Sequence, residues 1–266
     1  MSSLVSRILV AVLGLPLVLG ALWAGGWWLF ALVAPAAALA LHEYFVMTKP
    51  LRPLPLAGYA GVAGILVALQ LSGFLWAVGA LLATLVVAFL LKGLGSTQGS
   101  ATTSVGVTLL GTAWLGFGLG AVLLVRDFQE FGRTAAFAVV LAVFADDTAA
   151  YFGGRALGRR KLAPTISPGK TWEGFAFGTA AAIFVVFVAL YQDRDQFLAI
   201  GEALVLGLVV ALAAPLGDLF ESMVKRDMGV KDSGSLLAGH GGVLDRLDAV
   251  LFAFPAAYFT IHAFLT

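Results

Sequence analysis

The stretch Ser222–Asp248 reads S-M-V-K-R-D-M-G-V-K-D-S-G-S-L-L-A-G-H-G-G-V-L-D-R-L-D. Apolar runs border it on both sides, near Ala203–Val224 and Leu247–Leu265, in a chain of 266 residues that is 61% hydrophobic and 12% charged. A buried charge without a partner is costly, so charge this dense beside apolar runs has to do something. The apolar runs decide the fold. They match the length of about 20 residues that a helix needs to cross a bilayer, and the mean hydropathy of +0.99 belongs to an integral membrane protein.

Working outward, nine such spans are read, near Ile8–Ala24, Trp27–Met47, Leu54–Leu71, Phe74–Leu91, Val105–Val125, Ala135–Phe152, Trp172–Tyr191, Ala203–Val224 and Leu247–Leu265. The expected fold is an all-α polytopic membrane protein with about nine transmembrane helices. Gly25-Gly26 and Ser72-Gly73 leave so little chain between spans that they predict helical hairpins. Arg7 precedes the first run, but no A-x-A cleavage site follows, so the first helix is expected to be retained. With nine spans, Arg126, Arg133 and Arg194 fall on one side and the other thirteen of the 16 Lys and Arg on the opposite side. The positive-inside rule makes the richer side cytoplasmic, with the N-terminus inside and the C-terminus outside. The chain reads as a single membrane domain over residues 1–266. Residues 1–92 form a hydrophobic scaffold, the small-residue stretch 93–104 a flexible linker, and residues 105–266 the catalytic spans. A formal net charge of +1 gives no electrostatic footprint for nucleic acid. The absence of Cys excludes disulfides, Cys-ligated zinc and thiol nucleophiles.

Nearly all intramembrane charge lies in the second half. Asp218, Ser222, Lys225 and Arg226 stand at i, i+4, i+7 and i+8, one stripe of the eighth helix. Pro215 and Gly217 should weaken or bend that helix one turn earlier. In the blander reading Asp218 only neutralises Lys225 or Arg226. Gly239-His240-Gly241-Gly242 can bring backbone close to a ligand and aim N–H groups at an anion. Asp245 and Asp248 follow on one face of the ninth helix. Clustered carboxylates beside a phosphate-binding loop suit Mg²⁺, and Lys225, Arg226, Lys231 and Arg246 are placed to hold phosphates.

A second constellation lies between spans six and seven. Asp146 and Asp147 sit inside an apolar helix, and Arg155, Arg159, Arg160 and Lys161 follow as a basic cluster, which anionic lipid contact would also explain. Ser167-Pro168-Gly169-Lys170-Thr171 runs into the seventh helix, whose free N–H groups favour phosphate. It is not a Walker loop, because Pro164 stands where that pattern needs Gly. Glu173 in the first helical turn also reads as a plain charge complement to the helix end. His42 and Glu43, in the second span, either pair locally or line the cavity.

Ser222–Asp248 resembles the signature of the phosphatidate cytidylyltransferase family, S-x-hydrophobic-K-R, then K-D, then H-G-G-hydrophobic-x-D-R-x-D. It matches at Ser222, Lys225, Arg226, Lys231, Asp232, His240, Gly241, Gly242, Asp245, Arg246 and Asp248. Asp147–Gly153 and Ser167–Gly174 look like the same family, which usually has Pro or Gly where Ala238 stands, commonly Lys or another residue at Gly169, and Gly near Ala149. The resemblance implies an enzyme that joins CTP to phosphatidic acid, giving CDP-diacylglycerol and pyrophosphate with Mg²⁺, and a second cation is left open. It implies metal binding at Asp218 and Asp245, with Asp248 and Asp147 in support. Catalytic roles fall on Asp218, Asp245, Lys225, Arg226 and Asp248. Substrate binding falls on Ser222, Lys231, His240, Gly241, Gly242, Arg246, Ser167, Lys170, Thr171 and Arg159. The expected setting is a bacterial inner membrane with the site facing the cytoplasm and membrane lipids around it; a homodimer is compatible with the sequence. Three other readings stand beside it. A CTP-dependent polyprenol kinase would transfer the γ-phosphate. A CDP-alcohol phosphatidyltransferase would need D-x-x-x-D where Asp245 to Asp248 is D-x-x-D. A transporter would carry intramembrane charge in both halves or repeat symmetry.

Overall fold

The computed structural model describes residues 3–95, 99–234 and 241–266. Helices account for most of it: α1 Ser3–Ala24, α2 Gly26–Met47, α3 Pro55–Leu71, α4 Phe74–Leu94, α5 Ala101–Arg126, α6 Gly132–Leu157, α7 Trp172–Leu190, α8 Ile200–Asp227, α9 Leu244–Leu247 and α10 Val250–Leu265. Among the described residues seven helical segments are long and apolar enough to cross a membrane: Gly26–Met47, Phe74–Leu94, Ala101–Arg126, Gly132–Leu157, Trp172–Asp193, Ile200–Asp227 and Leu244–Leu265. Pro55–Leu71 is a shorter apolar helix and α1 covers Ser3–Ala24, so each of the nine expected spans is helical. Trp28, Leu75 and Phe89 are each more than half exposed, as lipid-facing side chains are.

The expected turns are present. Gly25 separates α1 from α2 at φ 68°, and Gly73 precedes α4 at φ 88°. This backbone region strains any residue with a Cβ, which explains glycine at both turns. The stretch 93–104 departs from its expected linker character at both ends, because α4 runs through Gly93 and Leu94 and α5 starts at Ala101. The small polar residues there are compatible with helix once the neighbouring apolar turns have nucleated it.

The chain forms two compact units, Met1–Leu124 with Met228–Arg246, and Val125–Asp227 with Leu247–Thr266. The expected division at residues 93–104 is therefore not where the compactness changes, and the segment 228–246 groups with the N-terminal helices. In the first unit α5 approaches α2 and α3 through small residues: a side chain at Gly111 would strike Tyr44, at Gly116 Ile65, and at Gly120 Leu69. Helices in lipid gain little from hydrophobic exclusion, so close packing of small residues against large ones supplies the attraction. The Tyr44 hydroxyl donates to the Val107 carbonyl at 3.0 Å, and the Leu54 N–H to the Thr108 hydroxyl at 2.9 Å.

In the second unit α6 packs along α7, α7 along α8, and α8 along α10. Between α6 and α7 comes an antiparallel hairpin, β1 Lys161–Ala163 and β2 Ser167–Thr171, the one departure from an all-helical chain among the described residues. Its strands are too short for an alternating pattern to show in the sequence. Its strong fixing comes from outside: the Glu173 carboxylate accepts the N–H groups of Arg159 at 3.0 Å and Arg160 at 3.2 Å.

Candidate active site

In the second unit the hairpin, α6 and α8 enclose a cavity of about 610 Å³. Asp146 and Asp147 enter it from α6, Ser167, Gly169, Lys170 and Thr171 from β2, and Pro215 and Asp218 from α8. A polar lining built from apolar membrane helices requires each charge to find a partner or a ligand. The Lys170 ammonium lies 2.6 Å from Asp218 Oδ2 and 3.5 Å from the Pro215 carbonyl, with both charged side chains partly exposed to the cavity. The Ser222 hydroxyl donates to Asp218 Oδ1 at 3.2 Å. The α8 stripe is real, but its pairing differs from expectation. Lys225 pairs with Glu221 at 2.8 Å, and Arg226 reaches the Ile166 carbonyl at 3.5 Å; Asp218 is matched from the hairpin instead. The (i, i+4) geometry favours Glu221 for Lys225, and Glu221 is fully buried, so its charge needs that lysine more.

Pro215 does not break α8, which runs unbroken through it, and its neighbour Gly217 serves a close approach. A Cβ at Gly217 would strike the Asp248 carbonyl, so the missing side chain is what lets residue 248 lie against α8. Asp248 thereby comes within electrostatic reach of Asp218, Asp147 and Lys225. Asp147 in turn feels Lys170 and Asp218. Asp146, also beside Asp147, is turned toward α7, where Gly178 leaves room for it; its Oδ1 is buried with no hydrogen-bond partner among the described residues. Thr171 has a structural duty as well: its hydroxyl caps α7 by accepting the Gly174 N–H at 3.1 Å.

Three carboxylates, Asp147 of α6, Asp218 of α8 and Asp248 of the turn between α9 and α10, thus act on one another. Carboxylate oxygens are the kind of donor that Mg²⁺ takes. Among the described residues no three acids or histidines are gathered closely enough to chelate an ion, and Lys170 is the cation on Asp218.

Asp245 belongs to the first unit, where its surroundings differ. Its carboxylate accepts the Gly242 N–H at 2.8 Å and the Ser233 N–H at 3.1 Å. Beside it, the Glu43 carboxylate of α2 accepts the N–H of Val243 at 3.0 Å and of Leu244 at 2.8 Å, and the Ser233 hydroxyl at 3.3 Å. The loop was expected to aim N–H groups at a bound anion. Of residues 239–242, the Gly242 N–H is taken by Asp245, and the next two N–H groups, of Val243 and Leu244, by Glu43. His240 and Gly239 lie outside the described residues. Gly241 stands at φ 81°, with no room for a side chain beside Asp245. Lys231, Arg246 and Arg159 are exposed. Of the two histidine-span residues left open by the sequence, His42 meets the Tyr59 hydroxyl at 3.0 Å, whereas Glu43 is the loop's anchor. An acid in an apolar span was the signal for it, but nothing in the sequence paired it with residues 200 positions away.

The model of the cytidylyltransferase family matches residues 5–264, and the chain belongs to that family. The phosphatidate cytidylyltransferase of Brucella suis is 36% identical over 268 residues, 97% of this chain and 93% of that protein. The enzyme of that name from Synechocystis is 33% identical over 96% of this chain and 95% of its own. That of Bacillus subtilis is 39% identical over a shorter match, 60% of this chain and 59% of the relative.

Proposed function

We propose that the protein transfers the cytidylyl group of CTP to phosphatidic acid, releasing pyrophosphate and forming CDP-diacylglycerol. The observation that carries this reading is the Lys170–Asp218 pair in a polar cavity flanked by Asp147, joined to family membership over nearly the whole chain. A phosphatidate oxygen attacks the α-phosphorus of CTP, a new O–P bond forms, and the bond from that phosphorus to the bridging oxygen breaks. The attacking phosphate is ionised at neutral pH, so the site needs no strong base; it needs cations that hold two polyanions together. Lys170 can exchange Asp218 for a phosphate oxygen, because both side chains reach the cavity and the ion pair is already partly solvated. Ser167 and Thr171, on the same hairpin, lie along the wall where phosphates would lodge. Asp218, Asp147 and Asp248 do not chelate an ion as they stand; drawn together they would hold Mg²⁺, which would take charge from the nucleotide phosphates and favour departure of pyrophosphate. Asp245 is better suited to shaping its own loop than to this role, since two backbone N–H groups occupy it. The setting is a bacterial inner membrane with the cavity opening to the cytoplasm, where CTP is supplied and where the Lys and Arg excess lies.

The test uses purified protein with phosphatidic acid, Mg²⁺ and CTP labelled at the α- or the γ-phosphate. Label from the α-position is expected in lipid and label from the γ-position in pyrophosphate. Lipid labelled from the γ-position would convict the reading in favour of a kinase.

A further inference from the structure

We infer that Glu43 is a positioning residue for the loop that carries the family-like signature, acting through Ser233, Val243 and Leu244. The inference rests on the proposed activity and on the substrate-binding roles that the family resemblance implies for Gly241, Gly242 and Arg246. The Glu43 side chain is 3% exposed, on an apolar helix, a costly place for a carboxylate unless donors surround it. They do: two backbone N–H groups and one hydroxyl converge on its two oxygens at 2.8–3.3 Å. Gly234 and Gly242 close over it, and a Cβ at either would collide with the carboxylate. Glu43 therefore ties Ser233 to Val243 and Leu244 through one side chain. Asp245, the next acid along, completes the turn by holding Ser233 and Gly242. None of these contacts consists of packing alone; each is directional, and each fixes backbone next to Gly241, Gly242, Asp245 and Arg246.

Chemistry sets a sharp requirement at position 43. All three groups facing the carboxylate donate, so only an acceptor on both terminal atoms satisfies them. Glu43→Gln keeps shape but turns one acceptor into an NH₂ that faces donors. Glu43→Asp keeps both acceptors and the charge but withdraws them by one methylene.

The experiment compares wild type, E43Q and E43D in detergent, reading kcat and KM for CTP, thermal unfolding, and hydrogen exchange at Val243 and Leu244. For E43Q, exchange at those two amides is expected to rise at least tenfold while α2–α5 stay protected, and kcat to fall on the order of 100-fold, as misplacement of site groups by about 1 Å does. E43D should recover part of both. Wild-type turnover in E43Q would overturn the inference. So would exchange rising equally throughout the first unit, since Glu43 would then be a general stabiliser. Failure of wild type itself to make CDP-diacylglycerol would sink the proposed activity, and exchange at Val243 and Leu244 would still decide whether Glu43 holds the loop.

Discussion

Lys170 and Asp218 show at the residue scale how one ion pair can serve as both a resting contact and a binding device. The ammonium neutralises an acid that membrane helices could not otherwise hold, yet both side chains reach the cavity, so a phosphate can compete for the lysine. Lys170→Met removes both the partner of Asp218 and the partner of the phosphate, and the expected loss is about 10²–10³ in kcat/KM, the scale of a lost preorganised electrostatic contact. Asp218→Asn keeps volume but removes the charge a hard cation requires, so turnover should fall by a similar factor and added Mg²⁺ should not restore it. Asp193→Asn, in the turn after α7, is the control and should match wild type. Steady-state rates over a Mg²⁺ titration check all three. Wild-type rates and Mg²⁺ dependence in D218N would make the carboxylate a mere charge partner of Lys170. Lys170 and Asp218 were both legible as candidates in the sequence. Their pairing was not: spacing along one helix offered only Lys225 or Arg226 as partners for Asp218, in the blander reading, because it ranks only local neighbours.

At the scale of elements, function depends on places where helices lack side chains. α8 carries Pro215 without interruption and uses Gly217 to let the Asp248 backbone lie against it. Gly217→Ala places a methyl where the Asp248 carbonyl stands. Overpacking of this kind costs about 1–3 kcal/mol, so a lower unfolding temperature in detergent is expected. Activity should fall by more than stability explains, because Asp248 is displaced from Asp147 and Asp218. An unchanged melting temperature together with unchanged activity would show that the contact is not needed. Helix existence and the two glycine turns were readable from periodicity and from residues that tolerate positive φ. The hairpin β1–β2 was not, since five-residue and three-residue strands present no period and are held by the Glu173 carboxylate from the following helix.

At the scale of the whole molecule, the Lys and Arg distribution predicts which side faces the cytoplasm. The chain has no cysteine, so single cysteines report sidedness without interference. Lys161→Cys, exposed at the start of β1, should react with an impermeant thiol reagent only after cells are opened. Gln192→Cys, exposed in the turn after α7, should react on intact cells. The reverse pattern would invert the topology. Arg155 and Lys170, on the richer side, line the proposed site, so residues that set orientation can also attract substrate phosphates.

The sequence by itself determined the class: a membrane chain of apolar helices, with its chemistry concentrated after residue 145 and a signature dense enough to mark a family. Apolar run length and motif spacing are local quantities, so no tertiary contact was needed to read them. Only the tertiary structure decided which partner each charge takes. Lys170 crosses from the hairpin to Asp218, and Glu43, which the sequence left to pair locally or line the cavity, reaches Val243 and Leu244. Those pairings follow from a requirement that acts through space. In a low-dielectric interior each carboxylate must be met by whatever donors the fold brings to it, however distant along the chain.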